Sequence, residues 1–151
     1  GAMDLIRDGK QSNTPHYGRM NMFFYDPKGK KTLPYYDTFP LVIPIERYPD
    51  GFLGINFHYL PMALRLRLLD RIVDFSNNTK FDETTVIDAD YPKLKNLKEI
   101  KPTLKRYLAG RVKTRFRRVD ADEFTVAALL PIARWKKGTQ EQVYRDSRRM
   151  I

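Results

Sequence analysis

Between Met20 and Leu60 the apolar residues fall in short runs broken by turns, and from Pro61 onward their spacing becomes helical. Met20-Asn21-Met22-Phe23-Phe24-Tyr25 predicts a short strand, stopped by the turn Asp26-Pro27-Lys28-Gly29. Phe39-Pro40-Leu41-Val42-Ile43-Pro44-Ile45 has the β-branched residues of a strand, but its prolines cannot donate to a ladder. It is therefore expected at a sheet edge, or with irregular pairing. After the turn Tyr48-Pro49-Asp50-Gly51, residues Leu53, Ile55, Phe57 and Tyr59 alternate with Phe52, Gly54, Asn56 and His58, which predicts one buried face. Pro61 suits the first turn of a helix, where its missing N–H is no loss. Met62, Leu66, Leu69 and Val73 then form a stripe widened by Leu68, Ile72 and Phe75. Arg67, Asp70, Arg71 and Asp74 lie opposite, and Ser76-Asn77-Asn78 is the stop.

Further along, residues 84–87 suit a short strand and residues 91–99 a short helix opened by Pro92. Residues 103–109 predict a helix stopped by Gly110. Residues 111–119 alternate and predict a strand. Asp120 with Glu123 has the form of a capping box for a helix ended by Pro131, and Thr139 with Gln142 repeats it for a last helix. Residues 1–19 show no periodicity and read as a flexible arm. Within it Arg7, Lys10 and Arg19 could touch a partner, and Gly1-Ala2-Met3 resembles a protease-cleavage remnant. Residues 20–151 are then expected to form one α+β domain with a β-rich first half and a basic, helical second half. Its strands suggest a small curled antiparallel sheet or partial β-barrel, SH3-like in one arrangement, with several packed helices.

Composition removes several classes of chemistry. Without cysteine there are no disulfides and no thiolate zinc site, which fits a reducing compartment such as a host cytoplasm. No apolar run approaches the roughly 20 residues of a membrane-spanning helix, so no membrane partner is expected. Charge adds the most. Residues 1–90 hold 11 Lys/Arg against 12 Asp/Glu, and residues 91–151 hold 17 against 6, so the +10 excess lies wholly in the second part. Such asymmetry argues for a polyanionic partner, DNA first.

The candidate chemistry follows that charge. As a strand, residues 111–119 would set Arg111, Lys113, Arg115 and Arg117 along one face at about 6.6–6.8 Å spacing, with Arg118 beside them. Phosphates would relieve the mutual repulsion of such a comb and release counterions. Lys101, Lys105 and Arg106 precede it, and Arg134, Lys136, Lys137, Arg145 and Arg148 follow. Trp135, with Tyr107 and Tyr144, lies among these cations as a stacking platform for bases or as core. Tyr35 and Tyr36, beside Pro34, suit a protein-docking patch. Asp88 with Asp90, and the letters Pro49-Asp50 and Glu99-Ile100-Lys101, raise a metal-dependent nuclease as a lesser alternative. Asp120 and Glu123 are better explained as helix caps. His16 and His58 are too far apart in pattern for a metal site, and the glycine spacing matches no nucleotide loop. Neither catalysis, a cofactor nor a bound metal is expected.

The strings Tyr25-Asp26-Pro27-Lys28, Leu33-Pro34-Tyr35-Tyr36-Asp37, Phe39-Pro40-Leu41-Val42, Asp50-Gly51-Phe52 and His58-Tyr59-Leu60-Pro61 resemble those of small proteins of large T-even-type tailed bacteriophages, marine ones included. Arg145-Asp146-Ser147 fits as well, so the likeness runs over roughly residues 20–151. The resemblance implies a phage context and assigns no functional residue. Together these readings predict a non-catalytic phage accessory protein that binds nucleic acid through its basic regions, in DNA replication, packaging or recombination. The alternative is a virion component, baseplate or neck, docking an acidic protein surface.

Overall fold

The computed structural model describes residues 10–77 and 81–151. Among them the chain is mixed α+β. Its strands are β1 (Gln11–Ser12), β2 (Met20–Met22), β3 (Tyr36–Asp37), β4 (Leu41–Tyr48), β5 (Gly51–Asn56), β6 (Leu104–Leu108), β7 (Phe116–Val119) and β8 (Trp135–Lys136). Its α-helices are α1 (Met62–Ile72), α2 (Tyr91–Leu94), α3 (Phe124–Leu129) and α4 (Gln140–Met150). Six strands form an antiparallel sheet in the order β1-β7-β2-β4-β5-β6, and β3 with β8 makes a separate ribbon. The sheet is open, not closed into a barrel.

Apolar residues pack on both faces of this sheet. Leu41 and Ile43 of β4, Ile55 of β5 and the methionines of β2 join Leu68, Ile72, Phe124 and Ala128 from α1 and α3 in the larger core. Val42 and Phe52, one residue out of phase, join Phe23, Tyr25, Tyr107 and Phe116 in a second, aromatic cluster. The single buried face expected of β5 is thus two buried faces. Each aromatic ring taken out of water contributes about 1.5–3 kcal/mol, so both clusters hold the sheet.

One sequence expectation holds in its second form and three others give way to packing. The proline-bearing strand β4 is central and irregularly paired, the second of the two arrangements expected of it. It tolerates Pro44 because β2 pairs only with Leu41 and Val42, and the β4–β5 register shifts between Pro44 and Glu46. Residues 104–108, expected as helix, are β6. They give β5 the neighbour its backbone groups need and stack Tyr107 on Phe52 at 5.3 Å. Residues 111–119 are strand only from Phe116. Ahead of that, Arg111, Lys113 and Thr114 bond to Phe24 and Asp26 beyond the end of β2, which ends the regular alternation. Asp120 is no capping box, because its carboxylate is held by Arg118 at 2.7 Å and Arg19 at 3.6 Å; α3 opens through a backbone turn instead.

The stripe on α1 is rotated from the expected one. Leu66 is 37% exposed, whereas Arg65 is 1% exposed. Its guanidinium donates to the carbonyls of Leu60 (2.7 Å), Ala128 (2.8 Å) and His58 (3.3 Å) and to the Tyr144 hydroxyl (2.8 Å), tying α1 to α3 and α4. A charge survives burial there because its donors are matched. The last helix follows its capping residue: the Thr139 hydroxyl accepts from the Gln142 amide.

From residue 10 the expected arm lies against the sheet. β1 pairs with β7, and Gly18 adopts φ 74°, a conformation that favours glycine. Its amide donates to Pro44 and its carbonyl accepts from Ile87, so the segment is pinned to β4. Residues 1–9, with Arg7, and Asn78 of the expected helix stop lie outside the described residues. Among the described residues no helix is long and apolar enough to cross a membrane.

Candidate nucleic-acid interface

Pinning residues 13–17 over the aromatic face creates a groove of about 600 Å³ between that segment, the β4–β5 hairpin and residues 109–116. Its floor is Phe52 and Phe116, with Tyr17 set edge-on to Phe52 at 6.5 Å. Three exposed cations, Arg47, Lys113 and Arg115, line it, and among the described residues no Asp or Glu does. Among the described residues none of the three makes an ion pair. Arg47 lies over the Tyr17 ring at 4.3 Å, and Arg115 donates to the carbonyl of Gln11 at 3.2 Å. A guanidinium stacked on a ring keeps its planar fork of donors free for an anion. The groove therefore combines unpaired positive charge with apolar ring surface.

Other cations of the expected comb are elsewhere engaged. Arg111 is half-buried and bonds to Asp26, its guanidinium 2.9 Å from the carboxylate. Arg118 is bound to Asp120, and Arg117 is half-buried. The four-cation face does not form; Lys113 and Arg115 alone of it reach the groove. Lys105 and Arg106 line a different cavity, of about 360 Å³, with Tyr35 and Tyr36. Arg106 also pairs with Asp50 at 2.6 Å and covers the Tyr48 ring at 3.9 Å. Lys101 is exposed beside the larger core. Arg134, Lys136, Lys137, Arg145 and Arg148 are exposed, and none lines the groove. Lys137, at φ 71°, spends its ammonium on the carbonyls of Lys30 and Lys31.

A buried polar node holds the ribbon to the sheet. The Asp37 carboxylate meets His58 Nδ1 at 2.6 Å and accepts from the amides of Phe39 and Arg134 and from Asn56. Burial alone would raise this carboxyl, but His58 and the two amides hold it below its ordinary value. The acidic pairs show no metal geometry. Asp90 caps α2, Asp88 lies 3.9 Å from Lys93, and no three His, Asp or Glu side chains among the described residues are placed to hold an ion.

The family described as the phage T4 terminal DNA protecting protein matches residues 3–147. The chain belongs to this family. The phage context implied by its motifs is thereby shown. No curated protein and no solved structure matches the chain. Within this family member, two groove residues escape a reading of charge along the sequence. Arg47 belongs to the near-neutral part of the chain, and Tyr17 to the segment expected as an arm. The turn Tyr48-Pro49-Asp50-Gly51 was the available signal, since it folds Arg47 back beside β5.

Proposed function

We propose that this chain binds the ends of phage DNA and shields them without catalysis, with the groove between residues 13–17 and 109–116 as its contact to the sugar–phosphate backbone. The carrying observation is that Arg47, Lys113 and Arg115 line one groove that no carboxylate enters among the described residues. Unpaired cations at a concave surface attract a polyanion and release its counterions on contact. The half-buried rings of Tyr17 and Tyr48 beside them, each with a guanidinium over one face, add contact surface for a frayed base. The family's description, terminal DNA protecting protein, fits a protein that covers an end and leaves it uncut. Such a protein would act where infecting DNA is exposed, in the host cytoplasm.

A duplex exonuclease acting on linear DNA tests this. The parent protein is expected to slow digestion in proportion to its occupancy of the ends, and Lys113→Glu with Arg115→Glu to leave digestion at the unprotected rate. A parent that neither binds linear duplex nor slows its digestion would contradict the proposal. The basic surface would then suit an acidic protein in the virion.

A further inference from the structure

Beside the groove lies a second recess with a different character. Its volume is about 360 Å³, at the small end of ligand pockets: room for one nucleotide but not for a stretch of duplex. The rings of Tyr25, Tyr35, Tyr36, Tyr59 and Tyr107 wall it, and Lys105 reaches into it with its ammonium 3.9 Å from the centre of the Tyr59 ring. Among the described residues Lys105 has no carboxylate within ion-pair distance. Asp37 stands at the back, but its oxygens are occupied by His58, Asn56 and two amides. What remains free is one half-buried cation in a cage of rings. This recess and the groove share a wall, because Phe52 of the groove stacks on Tyr107 of the recess.

Resting on the proposed DNA-end binding, we infer that this tyrosine-walled recess takes the 5′-phosphorylated terminal nucleotide of the DNA, its base among the rings and its phosphate on Lys105. A single nucleotide can enter such a recess only where it is not stacked on both sides, and unpairing is cheapest at an end. A terminal phosphate is a monoester with close to two negative charges and three acceptor oxygens, against one charge on each internal phosphodiester. A partly desolvated ammonium favours the more highly charged group. The groove would thus supply grip on any DNA, and the recess the preference for its end.

The test compares three DNAs of one sequence: a blunt duplex with 5′-phosphates, the same duplex with 5′-hydroxyls, and a dumbbell whose ends are closed by loops. The parent is expected to bind the phosphorylated duplex about tenfold tighter than the other two. Lys105→Met is expected to bind all three alike, at the parent's affinity for the dumbbell. Equal affinity of the parent for phosphorylated and hydroxyl ends, or a Lys105→Met variant that discriminates like the parent, would overturn the inference while leaving groove binding in place. No binding of any of the three by the parent would overturn both readings. A second measurement needs no variant. Trp135, the one tryptophan, sits edge-on to Tyr59 at 4.8 Å and Tyr35 at 6.1 Å, so its emission reports on the walls of the recess. Deoxyadenosine 5′-monophosphate is expected to change that emission at concentrations where deoxyadenosine does not. No change with the nucleotide would overturn the inference and leave the recess as a surface for a protein partner.

Discussion

Removing Lys113 and Arg115 together should flatten the salt dependence of DNA binding by an amount set by their number. The groove presents three exposed cations, Arg47, Lys113 and Arg115. If each neutralises one phosphate, they contribute about −2.7 to the slope of log K against log salt, at about 0.9 per phosphate on a duplex. Raising salt from 50 to 200 mM would then weaken the groove's contribution about 40-fold. The double alanine variant keeps Arg47 alone, so its slope should be shallower by about 1.8 and the same salt step should cost this contribution about 3.5-fold. Contacts made outside the groove add equally to parent and variant, so the difference of about 1.8 survives them. Both side chains are exposed, and among the described residues Arg115 makes a hydrogen bond to Gln11, so the fold should shift by no more than about 0.5 kcal/mol. Fluorescence anisotropy on a labelled duplex at several salt concentrations gives the slopes. Arg145→Ala with Arg148→Ala on α4 is the control, expected to keep the parent's slope. An unchanged slope in the groove variant, or a slope flattened only in the α4 variant, would refute the assignment of the groove.

Three further outcomes follow from the same structure. Arg65→Met should destabilise the fold by about 3–5 kcal/mol, since it strips donors from three buried carbonyls and a hydroxyl; denaturant melts measure it, and a loss below about 1 kcal/mol would be inconsistent. Asp37, held below the ordinary carboxyl value, stabilises the fold above its unfolded pKa of about 3.9 and loses that contribution as pH falls through the lower folded value. Thermal melts of the parent should therefore drop below about pH 4, and Asp37→Asn should be weaker at neutral pH with a flatter acid limb. Burial pushes the Lys105 ammonium down to about 8, while burial holds the phenols of Tyr25, Tyr35, Tyr59 and Tyr107 above their ordinary values. Preference for a 5′-phosphate should thus fade as pH rises past 8, with dumbbell affinity unchanged over the same range; a preference constant to pH 9.5 would count against Lys105.

Local signals were legible wherever short-range chemistry decides the backbone. Pro61 opened α1, Thr139 opened α4, and Pro49-Asp50-Gly51 closed the β4–β5 hairpin, as their types dictate. The pattern failed where long-range packing chose. Residues 104–108 could have been helical, but the open side of β5 and the ring of Phe52 made them a strand. The alternation in 111–119 promised a comb of cations, yet its first half bonds to Phe24 and Asp26 and its arginines find Asp26 and Asp120. The helical stripe left Arg65 unassigned, and its burial depends on the carbonyls of His58 and Leu60 just ahead of α1 and on the distant carbonyl of Ala128. The charge asymmetry raised the expectation of a basic surface, but net charge along a sequence says nothing about which cations already have partners. Among the described residues Lys113 and Arg115 form no ion pair, although the Asp26 carboxylate lies near enough to Lys113 to feel its charge, and Arg47 joins them from a stretch with no excess charge.

Hydrogen–deuterium exchange of the protein with and without a short blunt duplex tests the central claim most directly. Protection is expected in peptides covering residues 47–52 and 109–116, the two sides of the groove, with residues 140–150 exchanging as in the free protein. Protection confined to residues 134–149, with the groove peptides unchanged, would contradict the assignment and move the DNA contact to β8 and α4.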